Sequence, residues 1–269
     1  MRFSNLPRSA IFIVGLFFAA SLMIPLPYVI EQPGPTKNVL VSTIDISRAR
    51  TFPTSGKLLL TTVFVTGPSS VLFGVNVLRA WLSPDEVVLP RSLIYPPDQG
   101  SQQINAAGVA EMVGSQQSAI AAALTYMKLP VTEKSSTDKS GARTSTFIFP
   151  FPISISLKDT GGPSGGLIFA LGVVEKLSPI DFVQGRVIAG TGTIEKSGHV
   201  GAIGGIQEKI LAARRAGATL FLAPVENCAD VMHIPSGITV YSVNTLEEAV
   251  NVLKNAKNAS PHCTWQRNR

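Results

Sequence analysis

Ser164, in the run Gly161-Gly162-Pro163-Ser164-Gly165-Gly166, and Lys209, in the run Gly205-Ile206-Gln207-Glu208-Lys209-Ile210-Leu211-Ala212-Ala213-Arg214-Arg215-Ala216-Gly217, are of types from which a histidine-free nucleophile and base can be built. Gly161 and Gly162 permit a tight turn, and Pro163 suits the first position of a helix. The apolar run 167–174 that follows has no polar face, the mark of a buried helix. A serine at the N-terminal end of such a helix lies among N–H groups without intrahelical acceptors, at the positive end of the helix dipole, where a developing oxyanion is favoured. Serine also caps helices at this position, and the run alone leaves both roles open.

Turning the second run at about 100° per residue gathers Gln207, Glu208, Arg214 and Arg215 on one side, with Leu211 among them. Ile206, Lys209, Ile210, Ala212, Ala213 and Ala216 fill the opposite arc, so Lys209 falls in the middle of a small, apolar face. Lysine is almost never buried without a partner. Desolvation disfavours its charged form and draws a reference pKa of about 10.4 towards the roughly 7–8 that suits a general base. The alternative is a snorkelling lysine whose stem packs and whose head reaches water.

Gly162-Pro163-Ser164-Gly165-Gly166, then Ala189-Gly190-Thr191-Gly192-Thr193-Ile194, then Gly198-His199-Val200-Gly201-Ala202-Ile203-Gly204-Gly205 with Glu208-Lys209, resemble in order and spacing the proteolytic domain of Lon-type proteases. The resemblance implies Ser164 as nucleophile, Lys209 as base and Thr191 as a supporting residue that hydrogen-bonds the lysine, with Gly162, Pro163 and Gly165 shaping the turn. On propensity alone Thr191 is equally a β-branched residue of a strand. Gly165 stands where that family commonly has alanine. Leu58 to Val63 and Glu111 to Leu124 are similar to the opening strand and first helix of the same domain. Within the family the pattern is similar to a membrane-anchored bacterial group with an N-terminal span, a Pro33-Gly34-Pro35 stretch and a PDZ module before the serine half. Here only a short polar segment lies between Met127 and Phe147, so the PDZ module is expected to be absent. No Gly-x-x-x-x-Gly-Lys-Ser/Thr loop occurs, so proteolysis is expected to be ATP-independent, and no cofactor is expected.

The chain has 269 residues, 45% hydrophobic and 15% charged, with a mean hydropathy of +0.28. Much of that apolarity lies between Ala10 and Ile30, where no charged residue occurs. About 20 apolar residues cross a bilayer, so residues 10–30 are expected to be a transmembrane anchor. Arg2 and Arg8 before it and Glu31 after it place the N-terminus inside and the remainder outside. A cleaved signal peptide ending near Ala19-Ala20-Ser21 is the competing reading. The net charge of +6 and pI of 9.5 are not concentrated in a basic, aromatic-interleaved cluster, which argues against nucleic acid and for attraction to an anionic membrane surface. Cys228 and Cys263 are compatible with one disulfide, and His199, His233 and His262 lack metal-site spacing. The order of Ser164 and His199 in the chain also allows a Ser-His-Asp triad that uses both.

Strand patterns occur at 57–65, 147–157, 187–194, 219–223 and 238–243, and helical patterns at 110–126, 164–177, 205–216 and 246–253; Gly217 ends the third of these helices and Thr245 caps the fourth. The expected fold class is α+β with α/β character, and the resemblance implies a Lon-type proteolytic domain behind a single N-terminal transmembrane helix. The expected organisation is a cytoplasmic start (1–9), anchor (10–30), first half of an extracytoplasmic region (31–127), polar linker (128–146), catalytic core (147–254) and polar tail (255–269). The expected partners are protein or peptide substrates, the bilayer, and other copies of the chain in a ring. Two functions fit: a Ser–Lys endopeptidase, or a catalytically silent membrane-anchored scaffold that binds proteins.

Overall fold

The computed structural model describes residues 7–137, 143–157 and 161–255 together with Cys263. In chain order its elements are α1 (Arg8–Ser21), β1 (Pro25–Leu26), β2 (Tyr28–Asn38), β3 (Ile44–Ile46), β4 (Lys57–Val65), β5 (Leu72–Phe73), α2 (Gly74–Trp81), β6 (Val87–Pro90), α3 (Arg91–Ile94) and α4 (Ser101–Tyr126). There follow β7 (Thr132–Thr137), β8 (Arg143–Ile148), β9 (Ile153–Ile155), α5 (Gly166–Leu177), β10 (Val187–Gly190), β11 (Thr193–Ile194), β12 (Val200–Gly201) and α6 (Ile206–Arg215). The last are β13 (Leu220–Pro224), a 3-10 turn (Val225–Asp230), β14 (Thr239–Val243) and α7 (Leu246–Lys254). The chain divides into two compact units, one of residues up to Gln32 with Phe64–Ile104, the other of Pro33–Val63 with residues from Asn105 on. This division differs from the expected break at the polar segment, because 64–104 folds with the N-terminal residues.

In the first unit α1 has no buried residue, and its side chains point outward, Phe12 at 75% and Phe17 at 72% exposure. The expected anchor over 10–30 is not one helix. α1 ends at Ser21, Pro25 and Leu26 pair with Phe73 and Leu72, and Tyr28 to Glu31 pair antiparallel with β6. Pro25 and Pro27 lack the N–H that would continue a helical ladder, which accounts for the change. Among the described residues no helix is long and apolar enough to cross a membrane.

The second unit is built on the parallel strands β4, β10, β13 and β14, neighbours in the order β14-β13-β10-β4. Their side chains alternate between two cores. Leu58, Leu60, Ile188, Leu220, Leu222 and Val243 face one with α5, α7 and the second half of α4. Leu59, Ala189, Phe221, Ala223 and Val240 face the other with Ile206, Ile210 and Ala213 of α6. A parallel sheet covered on both faces has strands apolar on both sides, as these are. The strand expected over 187–194 stops at Gly190 and resumes as β11, which pairs with β12. The strand expected over 147–157 is broken between β8 and β9, where Pro150 and Pro152 cannot donate to a ladder. The segment expected as a polar linker forms an antiparallel ribbon of β7 and β8. Cys228 and Cys263 form a disulfide, and Cys263 N donates to Val240 O at 3.2 Å, so the expected tail is fastened to β14 at that residue. His262 and the rest of the tail beyond Asn255 lie outside the described residues.

Candidate active site

Pro163 and Ser164 do not begin the helix, as the sequence suggested, but form a turn ahead of it. Gly166 N donates to Pro163 O at 3.3 Å, Phe169 N to Gly165 O at 3.0 Å, and α5 starts at Gly166. No side-chain hydrogen bond caps α5, so Ser164 is not its cap. Gly162 has φ +86°, a left-handed conformation that glycine adopts without strain. A Cβ on Gly165 would lie 2.8 Å from the Phe169 ring and 2.9 Å from Leu60 Cδ1, so those side chains occupy the space that an alanine methyl would need. α5 itself is buried from Gly166 to Glu175, as its apolar run implied.

The turn is seated on the carboxyl end of β10. Thr191, fully buried, donates its hydroxyl to Ser164 O at 3.0 Å, and Gly192 N donates to the same oxygen at 2.9 Å. Leu167 N returns a bond to Gly192 O at 3.0 Å. Thr191 N donates to Leu222 O at 3.0 Å, which fixes the threonine against β13. Thr191 is thus no ordinary strand residue: it stands just past β10, joined directly to the residue carrying the candidate nucleophile.

Lys209 approaches β10 from the opposite face of the sheet. β11 and β12 carry the chain out and back, returning Gly201 beside Thr193, two residues past Thr191. α6 begins five residues later, after Gly205 in a left-handed conformation, and packs on β10 and β13. Its first turn therefore lies at the carboxyl end of β10, with Lys209 only 3% exposed. The snorkelling alternative is excluded by that burial. The helical wheel misjudged Gln207 and Glu208, which are buried too. Gln207 Oε1 accepts from Met232 N and His233 N, each at 3.0 Å, and Gln207 Nε2 donates to His233 O at 2.8 Å. Burial pushes the Glu208 carboxyl above its ordinary range, while a bond to its own backbone and the Lys209 charge pull it down.

Two residues that the sequence reading did not single out hold these pieces. Asn227, 3% exposed, accepts from Ile203 N and donates to Ile203 O, both at 2.9 Å, and so fixes the approach to α6. Ser115 on α4 donates to Pro163 O at 2.8 Å. Its place among Met112, Ala119 and Ala122 on one helical stripe is the signal that could have marked it as a buried hydroxyl. His199 sits at the β11–β12 tip, tied towards α7 by Leu246 N to Gly198 O at 2.8 Å. Among the described residues no hydrogen bond joins His199 to the nucleophile turn, and no group of three or more metal-ligating side chains occurs.

The family model of the Lon protease (S16) C-terminal proteolytic domain matches residues 98–258. The chain is 31% identical over 170 residues to the Lon protease of Fusobacterium nucleatum, covering 63% of this chain and 21% of that protein. It is 31% identical over 167 residues to the Lon protease of Heliobacterium modesticaldum, with 61% and 19% covered. Over 119 residues it is 37% identical to the Lon protease of Citrifermentans bemidjiense, with 44% and 14% covered. The chain thus matches about a fifth or less of the length of these relatives.

Proposed function

The chain belongs to the Lon protease (S16) C-terminal proteolytic domain family, and from that membership we propose that it is a serine endopeptidase with Ser164 as nucleophile and Lys209 as general base. The observation that carries this reading is the burial of Lys209 at the end of β10 that also seats the Ser164 turn. A buried lysine amine is withheld from bulk water, which suits it to exchange a proton with a neighbouring hydroxyl.

In the first step neutral Lys209 Nζ takes the proton of Ser164 Oγ as that oxygen bonds to the substrate carbonyl carbon. The resulting oxyanion is held by backbone N–H groups of the turn before α5. Its collapse breaks the C–N bond, and the Lys209 ammonium returns the proton to the departing amine. Water, deprotonated by Lys209, then hydrolyses the acyl-serine. Thr191 Oγ1, whose proton goes to Ser164 O, keeps lone pairs that suit it to accept from the lysine.

The chemistry uses no nucleotide or metal, and substrates are unfolded or membrane-proximal chains. The outward apolar side chains of α1 support attachment to a bilayer. Its 14 residues extend about 21 Å at about 1.5 Å per residue, less than the roughly 30 Å hydrocarbon core. The reading is therefore one of anchoring through α1, with the catalytic unit on the oxidising side that the Cys228–Cys263 disulfide suits. Assembly into a ring and the lack of a PDZ module belong to the same proposal.

The test is cleavage of casein without ATP by the wild type, Ser164→Ala and Lys209→Ala. Turnover in the wild type alone supports the dyad. Equal turnover in all three removes it, and casein binding without cleavage in all three favours the silent scaffold.

A further inference from the structure

Ser115 is a buried hydroxyl, 6% exposed, in the middle of α4. A serine inside a helix ordinarily bonds back to a carbonyl three or four residues earlier. Ser115 instead donates across to Pro163 O at 2.8 Å, 48 residues away in sequence. Two helical turns before it on the same face, Gly108 O accepts from Gly162 N at 3.0 Å. α4 therefore grips the turn at two successive residues ahead of Ser164. From the other side Thr191 Oγ1 and Gly192 N hold Ser164 O, at 3.0 and 2.9 Å. The fit around Ser115 is close: a Cβ on Gly166 would stand 3.1 Å from its Oγ.

These bonds fix the peptides on both sides of Ser164. No peptide bond among the described residues is cis, so a Pro163 carbonyl aimed at α4 turns the Ser164 N–H away from α4. With the flanking carbonyls held, the direction of the seryl Cα–Cβ bond is set as well. We propose that Ser115 is a positioning residue for the nucleophile: by holding the Pro163 carbonyl, its hydroxyl orients the peptide that carries the Ser164 N–H and aims Ser164 Oγ. The proposal rests on the endopeptidase reading above. Ser115 touches neither substrate nor the reacting atoms, so its removal acts on turnover while leaving substrate binding in place.

The experiment compares full-length wild type, Ser115→Ala, Ser118→Ala on the same helix as control, and Ser164→Ala. It reads kcat and KM on a quenched fluorescent casein, together with amide exchange across residues 161–167 and across the β13–β14 core. Ser115→Ala is expected to lower kcat roughly tenfold or more, with KM within about twofold of the wild type. Exchange should quicken in 161–167 and stay unchanged in the core, and Ser118→Ala should match the wild type in every reading. Full kcat in Ser115→Ala, or a loss accompanied by faster exchange throughout the core, overturns the positioning role while leaving the dyad intact. A wild type no more active than Ser164→Ala overturns the endopeptidase reading, and this role with it.

Discussion

At the residue scale, the Ser164 carbonyl is held by Thr191 Oγ1 at 3.0 Å and by Gly192 N at 2.9 Å, so the turn before α5 is tied to the end of β10. Ser164, Thr191 and Lys209 stand out in the sequence because glycines surround the first two and an apolar arc surrounds the third. That Thr191 grips the Ser164 carbonyl could not be read from its β-branched type. The glycines of the turn are not equivalent. A methyl at Gly165 meets the ends of Phe169 and Leu60, which can shift, whereas one at Gly166 lies 3.0 Å from the backbone N of Ile194. We expect Gly165→Ala to cost about 1 kcal/mol, within the range of mild overpacking, and Gly166→Ala about 2–3 kcal/mol. Urea unfolding of the two variants measures the difference, and an equal cost would show that the Ile194 backbone yields.

At the element scale, α6 carries Lys209 but is held by its neighbours. The 3-10 turn supplies Glu226, which accepts from Ala202 N at 3.1 Å, and Asn227, which binds both backbone groups of Ile203. Asn227→Ala leaves the partly buried N–H and C=O of Ile203 without their side-chain partner and should destabilise by roughly 1–3 kcal/mol, seen as a lower urea midpoint. The same turn contains Cys228, joined to Cys263 across a sequence separation of 35. On loop-closure entropy that bridge contributes about 3–4 kcal/mol. Reduction by dithiothreitol should therefore lower the melting temperature by 10 °C or so, and a Cys228→Ser, Cys263→Ser double variant should be insensitive to the reagent. The helix carrying Lys209 was legible in its period and its terminal glycines, since α6 runs from Ile206 to Arg215 with Gly205 and Gly217 both at positive φ. The burial of Gln207 and Glu208 was not, because a wheel shows one helix and not the loop from Met232 to His233 that covers its polar side.

At the scale of the whole molecule, the alternation of apolar strands with helices was legible in the sequence, whereas the parallel order of the sheet and its covering on both faces were not. Nor was the two-unit division, because 64–104 has short, proline-broken elements with little periodicity. The apolar N-terminal run was visible, but its conversion from helix to strand at Pro25 depends on a partner strand far along the chain, Leu72–Phe73. One global property follows from buried carboxyls, Glu175 with its value raised furthest and Glu208 acting in the same direction. Burial raises Glu175 from its ordinary 4.5 to about 7, and the neighbouring Asp181 adds to that rise while backbone N–H groups oppose it. Between those values the folded protein binds a proton that the unfolded chain has lost, so stability falls as pH rises from about 4.5 to about 7. Glu175→Gln should flatten this part of the melting-temperature profile, and an unaltered slope would place the dependence elsewhere. The central claim, that Lys209 activates Ser164, is tested most directly by the rate at which a fluorophosphonate labels the protein, followed by intact mass and peptide mapping. Lys209→Met keeps an unbranched side chain in the buried site and removes the base. The account predicts a single adduct on Ser164 that forms at least a hundredfold more slowly in Lys209→Met; labelling at another residue, or at an unchanged rate in that variant, would contradict it.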